Sequence, residues 1–387
     1  MVNINKRQFL KQGLRGISVC GIGAICSNVV LSACSNAKSN ALKSEDENGV
    51  RLPAGFQSRV IARSSQPVID GGSYFWHGAP DGGACFASAD GGWIYVSNSE
   101  INDIGGVGAI RFDVNGDMVD AYSILENTSR NCAGGATPWG SWLSCEEVKN
   151  GIVWECFPDG KKAAIARPAL GVFNHEAVAV DSKQQKLYLT EDRADGCLYR
   201  FSSQFETTGN HIDLSAGVLE VAVIQSGSDS RFDWVMVPDP QAGQTPTRYQ
   251  VSSAATFNGG EGIVYFDEKV IFTTKGDNRV WSYDIKNNRL ETLYDAKDSI
   301  TPILTGVDNV AVSQDGTIFV AEDGGDMQIV VLDQSGALYP IAQIPSHERS
   351  EITGLAFSPD GNRLYFSSQR GESGRSEDGI SYEISGF

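Results

Sequence analysis

The sequence predicts an all-β protein, a six-bladed β-propeller that follows an N-terminal signal segment. Three observations lead to this prediction: a strand pattern that recurs along the chain, hairpin-turn sequences such as Pro-Asp-Gly beside it, and the lack of any convincing amphipathic helical pattern. Glycine accounts for 43 of the 387 residues, which fits a fold with many turns.

The recurring unit is a run of four or five strand-forming residues that ends in a small residue and then, usually, a polar or acidic one. Six such runs occur, at residues 93–100, 142–146, 187–191, 270–275, 318–322 and 364–369. Their ends are 46, 45, 84, 47 and 47 residues apart. A spacing of 45–47 residues is typical of a four-stranded propeller blade. The long interval, roughly residues 202–257, leaves room for a seventh blade, but an insertion fits better, and six blades are predicted.

The charge of the chain excludes some classes of function. It has 48 acidic and 31 basic residues, a formal net charge of -17, and this argues against a nucleic-acid partner, which requires clustered cations. Its 41% apolar residues are enough for a large core, so the chain is neither disordered nor collagen-like. Residues 1–33 carry four basic and no acidic side chains, so the remainder carries about -21.

The first 33 residues have the pattern of an export signal. Basic residues from Lys6 to Arg15 precede an uncharged apolar run at 16–31, which is short for a transmembrane helix and typical of a cleaved signal. Leu31-Ser-Ala-Cys34 resembles a bacterial lipobox and predicts lipidation of Cys34; an ordinary signal with an incidental cysteine is the alternative. Asn5-Lys-Arg-Gln-Phe-Leu-Lys11 resembles the twin-arginine motif with Lys6 in place of the first arginine; the general secretory route is the alternative.

These features predict three segments and a location. Residues 1–33 form a signal peptide, residues 34–50 a flexible tether, and residues 51–387 a single propeller domain. We expect an exported monomer in the periplasm or outer membrane, attached to the membrane through Cys34.

The topology of a propeller brings the unusual residues of the repeat together. The first strand of a blade lines the central channel and the second runs antiparallel to it, so the start of one and the end of the other lie at the same channel mouth. Strand starts carry His175, Glu176, Glu261, Asp308, Asn309 and Thr353. Strand ends carry Glu100, Cys145, Glu146, Glu147, Glu191, Asp192, Arg193, Glu322, Asp323 and Arg370.

So many acidic groups at one mouth predict a metal site, because neighbouring carboxylates raise each other's pKa unless cations balance them. Carboxylate, amide and carbonyl oxygens suit calcium, whereas a thiolate such as that of Cys145 suits a softer ion such as iron. The alternative is a rim of solvated acidic residues.

The segment from Asn131 to Glu147, NCAGGATPWGSWLSCEE, resembles the signature of the PhoX-type bacterial alkaline phosphatases, in which a Cys-Gly-Gly-Thr-Pro-Trp-Gly-Thr-Trp-like run leads to Cys-Glu-Glu. Segments 175–181, 260–262, 308–309 and 357–361 follow in the order of that family. The resemblance implies an exported six-bladed phosphatase that hydrolyses small phosphate monoesters with an iron pair (Fe³⁺) and several Ca²⁺ ions.

The resemblance also implies roles for individual residues. Cys145 would be the thiolate ligand shared by the irons, and Glu146, Glu176 and Glu261 would bind metal. The further candidate metal ligands are Glu100, Glu147, Glu191, Asp192, Asn309 and Glu322. Arg193 and Arg370 are candidates for holding phosphate, and His77 and His175 for orienting ligands.

Two alternatives to the phosphatase remain open at this point. A calcium-dependent lactonase or esterase propeller would not need Cys145 as a ligand, and a metal-stabilised binding propeller would have no catalytic activity. Beyond Cys34 the chain has five cysteines, an odd number that leaves at least one of them outside intramolecular disulfides.

Overall fold

A computed structural model describes residues 40–228 and 230–387 of the chain. The predicted signal peptide and the lipidation site at Cys34 lie outside the described residues. Within them, 25 strands form six antiparallel sheets in the order of the chain, so the predicted six-bladed propeller is confirmed.

The six blades divide the strands as follows. Blade 1 contains β2 (Pro80–Ala87), β3 (Trp93–Ser99), β4 (Gly105–Phe112) and β5 (Met118–Thr128), and blade 2 contains β6 (Asn131–Ala136), β7 (Trp142–Glu146), β8 (Val153–Cys156) and β9 (Ile165–Ala166). Blade 3 contains β10 (His175–Asp181), β11 (Lys186–Glu191), β12 (Leu198–Ser203), β13 (Gly217–Ile224) and β14 (Phe232–Met236). Blade 4 contains β15 (Gly260–Phe266), β16 (Lys269–Thr274), β17 (Arg279–Asp284) and β18 (Arg289–Asp295). Blade 5 contains β19 (Val307–Val312), β20 (Ile318–Glu322), β21 (Gln328–Leu332) and β22 (Leu338–Gln343). Blade 6 contains β23 (Ile352–Phe357), β24 (Arg363–Ser368), β25 (Ile380–Ser385) and, as its outer strand, β1 (Gln57–Arg63).

The helices of the described residues are five short 3₁₀ turns, at Pro168–Leu170, Thr247–Tyr249, Lys275–Asp277, Ala296–Asp298 and Ser376–Asp378. None of the helices in this part of the chain has the length and apolar character needed to span a bilayer.

The ring is closed by pairing the first strand with the last blade. β1 runs antiparallel to β25, with Gln57 opposite Ser385 and Arg63 opposite Ile380. This pairing joins the two ends of the domain and leaves no gap between blades 6 and 1. The contacts extend further toward the N-terminus: the Lys43 amide donates to the Leu52 carbonyl, and Val50 is fully buried. Val50 is therefore packed against the domain and Lys43 is hydrogen-bonded to its backbone, while residues 43–47 remain exposed.

The long interval between the third and fourth runs is an insertion and not a seventh blade. β14 adds a fifth strand to blade 3, and the chain then continues through residues 237–259 before β15 begins. The Thr247 hydroxyl donates to the Val172 carbonyl at 2.7 Å, so this segment lies against the loop that leads into β10.

The core lies between the blades, because both faces of each sheet are covered by a neighbour. On β11, Leu187 and Leu189 pack with Leu143 of blade 2, whereas Tyr188 points to the opposite face and packs with Phe272 of blade 4. The alternation of side chains along a strand produces this division. Each such fully buried side chain stabilises the fold by about 1.5–3 kcal/mol.

The first strand of every blade has a β-bulge close to the channel mouth. In β2, Pro80 pairs with Ser99 and the pairing resumes at Gly83 with Ser97, so two residues lie opposite one. Equivalent register shifts occur in β6, β10, β15, β19 and β23. The first strands approach closely here: a Cβ on Gly82 would lie 2.4 Å from Ala133 Cα, which requires glycine at that position.

Candidate metal centre

The six bulges place one side chain from each blade at the channel mouth. In five first strands the residue that follows the last mouth-side pair is acidic or a cysteine, namely Asp81, Cys132, Glu176, Glu261 and Asp308. In β23 the pairing runs one residue further, so the corresponding sequence position, Thr353, is paired with Ser367. Five of the six can bind a cation. The sixth, Thr353, donates its hydroxyl to the Pro80 carbonyl at 2.9 Å and so links blade 6 to blade 1.

The ring and the neighbouring loops form three groups of potential ligands. Within each group the ligand atoms all lie within 4.8 Å of one another, and the groups are Asp81–Glu100–Cys132, Glu176–Glu261–Asp308 and Asp308–Asp323–Glu351. Asp308 belongs to two groups. The Cys132 Sγ lies 3.4 Å from Glu176 Oε1 and 3.8 Å from Asp81 Oδ2, which connects the first group to the second.

The electrostatics of these groups fit bound cations. Glu176 is 1% exposed, and its Oε2 is buried without a hydrogen-bond partner. Burial, and next the negative charges of Glu261 and Asp308, raise the pKa of Glu176 well above its ordinary value. Burial also raises the pKa of Asp81 and the pKa of Glu351, and each of these is raised further by neighbouring acidic groups. Carboxyl groups in this condition stay ionised only beside positive charge, so the donor set fits metal ions.

Three cationic side chains lie among the acidic groups. Arg130 forms ion pairs with Glu100 and Glu147, and the Lys275 Nζ lies 2.8 Å from Glu261 and 3.3 Å from Asp323. Arg370 lies 2.8 Å from Glu351 and 3.9 Å from Glu100. The carboxyl groups of the mouth outnumber these three cations by nine to three, so full ionisation of the mouth requires further positive charge. The nine are Asp81, Glu100, Glu147, Glu176, Asp192, Glu261, Asp308, Asp323 and Glu351.

Several residues singled out from the sequence lie at this mouth. Glu100, Glu176 and Glu261 belong to the three groups, and Arg370 pairs with two of their members. Asp192 lies close enough to Glu176 and Glu261 to raise the pKa of both. Two more residues singled out from the sequence lie at the mouth. Burial raises the pKa of Glu147 to about 7, and the side-chain amide of Asn309 donates to Asp308 at 2.6 Å.

The structure does not bring Cys145 to this mouth. Cys145 is fully buried in the apolar cluster between blades 2 and 3, with Leu143 and Val153. It lies on the second strand of the blade, opposite the β6 bulge, and the thiol that the bulge directs to the mouth is that of Cys132. Among the described residues, Cys132 rather than Cys145 is therefore the candidate thiol ligand.

Glu146, Glu191 and Glu322 also lie outside the ligand groups, and they share a different arrangement. Each ends the second strand of its blade and accepts hydrogen bonds from the backbone of adjoining loops. Glu146 accepts from the Ser129 and Ile152 amides at 3.0 and 3.2 Å, and Glu322 from the Thr305 and Gln328 amides at 2.8 and 3.1 Å. Glu191 accepts from the Cys197 amide, the Tyr199 hydroxyl and Arg248. The recurring glutamate of the blade pattern is therefore placed to hold loops.

The remaining candidates lie away from the ligand groups. His77 is partly buried and His175 fully buried, and desolvation lowers the pKa of each to about 3, so both rings are neutral. The His175 Nε2 lies 3.0 Å from the Gly171 carbonyl, and His77 Nε2 lies 3.3 Å from Ser97 Oγ. Arg193 is exposed on the wall of a cleft beside the mouth. The five cysteines of the described residues are all free thiols.

Five residues at the mouth were not expected from the sequence, namely Asp81, Cys132, Glu351, Arg130 and Lys275. Asp81 and Cys132 could have been found by aligning the six first strands, because each occupies the position of Glu176 and Glu261 in its blade. Glu351, Arg130 and Lys275 lie just outside these strands, where the repeat carries no signal.

Together, the fold and the site define a six-bladed propeller with acidic, thiol-containing groups of potential metal ligands at one channel mouth. The sequence model of the family Alkaline phosphatase PhoX matches residues 105–289. This match confirms the resemblance to that family over blade 3, blade 2 and parts of the two adjacent blades.

Solved structures with the same fold include two that are similar over most of the chain. The first is Pseudomonas fluorescens PhoX in complex with vanadate, a transition-state analogue, with a TM-score of 0.73, 16% identity, and coverage of 89% of this chain and 97% of that chain. The second is a Bacteroides thetaiotaomicron protein of unknown function, with a TM-score of 0.51, 10% identity, and coverage of 85% and 76%. At these identities the similarity establishes the shared fold. No curated protein matches the sequence significantly.

Proposed function

We propose that this protein is a metal-dependent phosphatase that hydrolyses phosphate monoesters at the channel mouth. The observation that carries the proposal is the convergence of buried carboxylates and the Cys132 thiol into three adjoining ligand groups. The match to the PhoX family supports it, since residues 105–289 include Cys132, Glu147, Glu176 and Glu261.

The donor chemistry assigns different ions to different groups. Cys132 with Asp81 and Glu100 combines a soft sulfur with oxygens, which suits iron, whereas the groups built on Asp308 offer only oxygen, which suits calcium. When bound, such ions polarise the phosphoryl group and balance the negative charge that develops as the ester is cleaved.

The side chains of the chain itself would position the substrate. Arg370 is 36% exposed in its side chain, so its guanidinium can reach a phosphate oxygen while it remains paired with Glu351. Asn309 holds the backbone of blade 6 in place by accepting from the Gly354 amide at 2.7 Å. In the overall reaction the P–O bond to the leaving group breaks, water supplies the new oxygen on phosphorus, and the leaving oxygen takes up a proton.

The thiol distinguishes this proposal from a calcium-dependent lactonase or esterase. A site that needs only a hard cation has no use for sulfur, and here Cys132 lies within 3.8 Å of two carboxylates of the ligand groups. A non-catalytic binding propeller would bind metal but release no phosphate.

We also propose that the protein is exported as a monomer and attached to the membrane of the cell envelope through a lipidated Cys34. The lipobox-like sequence at residues 31–34 supports this proposal. Labelling of the protein with a radioactive fatty acid in the wild type, and its loss in Cys34→Ala, would test it. An unlabelled wild-type protein would contradict the anchor.

The experiment for the proposed activity combines metal analysis with phosphate release. We expect purified wild-type protein to contain iron and calcium and to hydrolyse p-nitrophenyl phosphate, and Glu176→Gln to lose both properties. Glu291→Gln, a change of the same type at an exposed site on β18, serves as the control. Metal without phosphatase activity would favour the binding propeller, and calcium alone together with lactone hydrolysis would favour the lactonase.

A further inference from the structure

A second cleft adjoins the metal centre and shares a wall with it. The cleft has a volume of about 570 Å³, and Arg130 and Glu147 line it from the side of the channel mouth. Through Arg130 it is in direct contact with the Asp81–Glu100–Cys132 group, because the Arg130 guanidinium pairs with Glu100. A volume of this size exceeds what a phosphate group needs and falls in the range of small-molecule sites.

The insertion after β14 builds the outer wall of this cleft. Residues 242–248 face the loops of blades 1 to 3 across it. Two contacts fix the wall: Thr247 donates to the Val172 carbonyl at 2.7 Å, and Arg248 donates to the Glu191 carboxylate at 3.0 Å. The cleft therefore exists because this chain carries an insertion that the regular blade repeat does not include.

The cleft is lined by positive charge, in contrast to the rest of this acidic protein. Four cationic side chains line it, namely Arg130, Lys149, Arg193 and Arg248, against one acidic side chain, Glu147. Two of the cations are already paired: Arg130 with Glu100 and Glu147, and Arg248 with Glu191 and Asp195. Lys149 and Arg193 are exposed and form no ion pair with any of the described residues, so both charges are available to a ligand. In a chain with a net charge of -17, two unpaired cations in a cleft beside the ligand groups call for a functional explanation.

We propose that this cleft binds the leaving group of the substrate and that the leaving group is itself an anion. The inference rests on the proposed phosphatase activity and specifies its substrate class: phosphate monoesters with a second negative group, a carboxylate or another phosphate. With the ester phosphate at the metal centre, the rest of the molecule extends past Arg130 into the cleft. There, Lys149 and Arg193 supply charge-assisted hydrogen bonds to the second anionic group. Side-chain amides of the same walls, Asn150 and Gln244, are available to hydroxyl groups of the ligand.

A matched pair of substrates tests the proposal. 3-Phosphoglycerate and glycerol 3-phosphate have the same three-carbon frame. The leaving group of the first, glycerate, is an anion, whereas that of the second, glycerol, is neutral. We expect the wild type to prefer 3-phosphoglycerate by about tenfold or more in kcat/KM at low ionic strength, mainly through a lower KM. The double variant Lys149→Gln, Arg193→Gln is expected to reduce this preference about tenfold. Lys183→Gln, an exposed lysine in the turn between β10 and β11 at the opposite end of the blade, is expected to keep the wild-type preference.

The outcomes separate this inference from the proposed function. Equal kcat/KM for the two esters in the wild type, or a preference that survives in the double variant, would overturn the inference while the phosphatase activity stands. If neither ester is hydrolysed, the proposed function fails, and calorimetric titration with the same two esters then decides the inference. Tighter binding of 3-phosphoglycerate that is lost in the double variant would still support an anion-binding cleft, and equal binding would reject it.

Discussion

Serine substitutions of Cys132 and Cys145, made separately, are expected to impair two different properties of the protein. The Cys132 Sγ lies 3.4 Å from a Glu176 oxygen and 3.8 Å from an Asp81 oxygen at the channel mouth. Cys145 is fully buried among apolar side chains between blades 2 and 3. Cys132→Ser is therefore expected to impair metal binding, and Cys145→Ser to impair folding stability.

The structure sets the size of both effects. A serine hydroxyl does not ionise near neutral pH, so Cys132→Ser removes the soft anionic ligand of its group; loss of an outer partner of a metal ligand already costs about 10–100-fold in affinity, and loss of a direct ligand is expected to cost at least ~100-fold. In the metal-free protein the new hydroxyl can donate to Glu176 as the thiol does, so the free energy of unfolding is expected to change little. Cys145→Ser instead buries a hydroxyl without a partner and is expected to cost about 1–3 kcal/mol.

The assay measures metal content and thermal unfolding on the same preparations. We expect Cys132→Ser to lose iron on dialysis that the wild type retains, with an unfolding midpoint close to that of the wild type in the presence of a chelator. We expect Cys145→Ser to keep the wild-type metal content and to unfold at a temperature a few degrees lower. Iron lost from Cys145→Ser and retained by Cys132→Ser would refute the reasoning and restore the thiol assignment to Cys145.

Three further predictions concern the charges of the mouth. Glu176→Gln removes a buried carboxylate with an unpartnered oxygen, so its unfolding temperature should exceed that of the wild type when both are measured with a chelator; a lower value would contradict this role. Lys275→Met frees Glu261 and Asp323 from their shared ammonium group, and elemental analysis should find one more divalent ion per molecule than in the wild type, whereas an unchanged count would show that the lysine does not replace a metal ion. The metal-free protein should lose stability as pH rises from about 4.5 to about 7, because burial raises the pKa of Glu147 to about 7 in the folded protein while the unfolded chain ionises near 4.5. This group alone contributes up to about 3 kcal/mol, and chemical denaturation across that pH range measures it; a flat profile would contradict the pKa.

The blade repeat made the architecture predictable from sequence. Each second strand combines strand-forming residues with a turn on either side, as in Leu187–Glu191, and its period follows from the number of strands in a blade. The insertion at residues 202–257 could be separated from a seventh blade only by the pairing of β13 and β14 with blade 3. The contacts of Lys43 and Val50 could not be predicted from the sequence either, because the composition of a polar, charged segment is the same whether the segment is free or in contact with the domain.

The sequence predicted where the site lies, but only some of the residues that form it. Reading strand starts and strand ends located the mouth and identified Glu176 and Glu261, which the structure brings together in one ligand group. The error at Cys145 arose because sequence position on a strand does not tell whether a side chain faces the channel or the next blade. The bulge in β6 decides this, and it gives the mouth position to Cys132.

The bulges also explain why the glutamates of one repeat have two different functions. The glutamate at the end of a second strand, such as Glu322, reaches the backbone amides of two loops and holds them at fixed positions. The acidic residue in the bulge of a first strand, such as Asp308, instead faces other acidic residues of the mouth. Three blades carry the loop-holding glutamate, at Glu146, Glu191 and Glu322, and in blade 5 the bond from the Gln328 amide to Glu322 spans the loop that carries Asp323. The stability of the loops and the affinity for cations are therefore separable properties, and substitutions at Glu322 should affect the former while substitutions at Asp308 affect the latter.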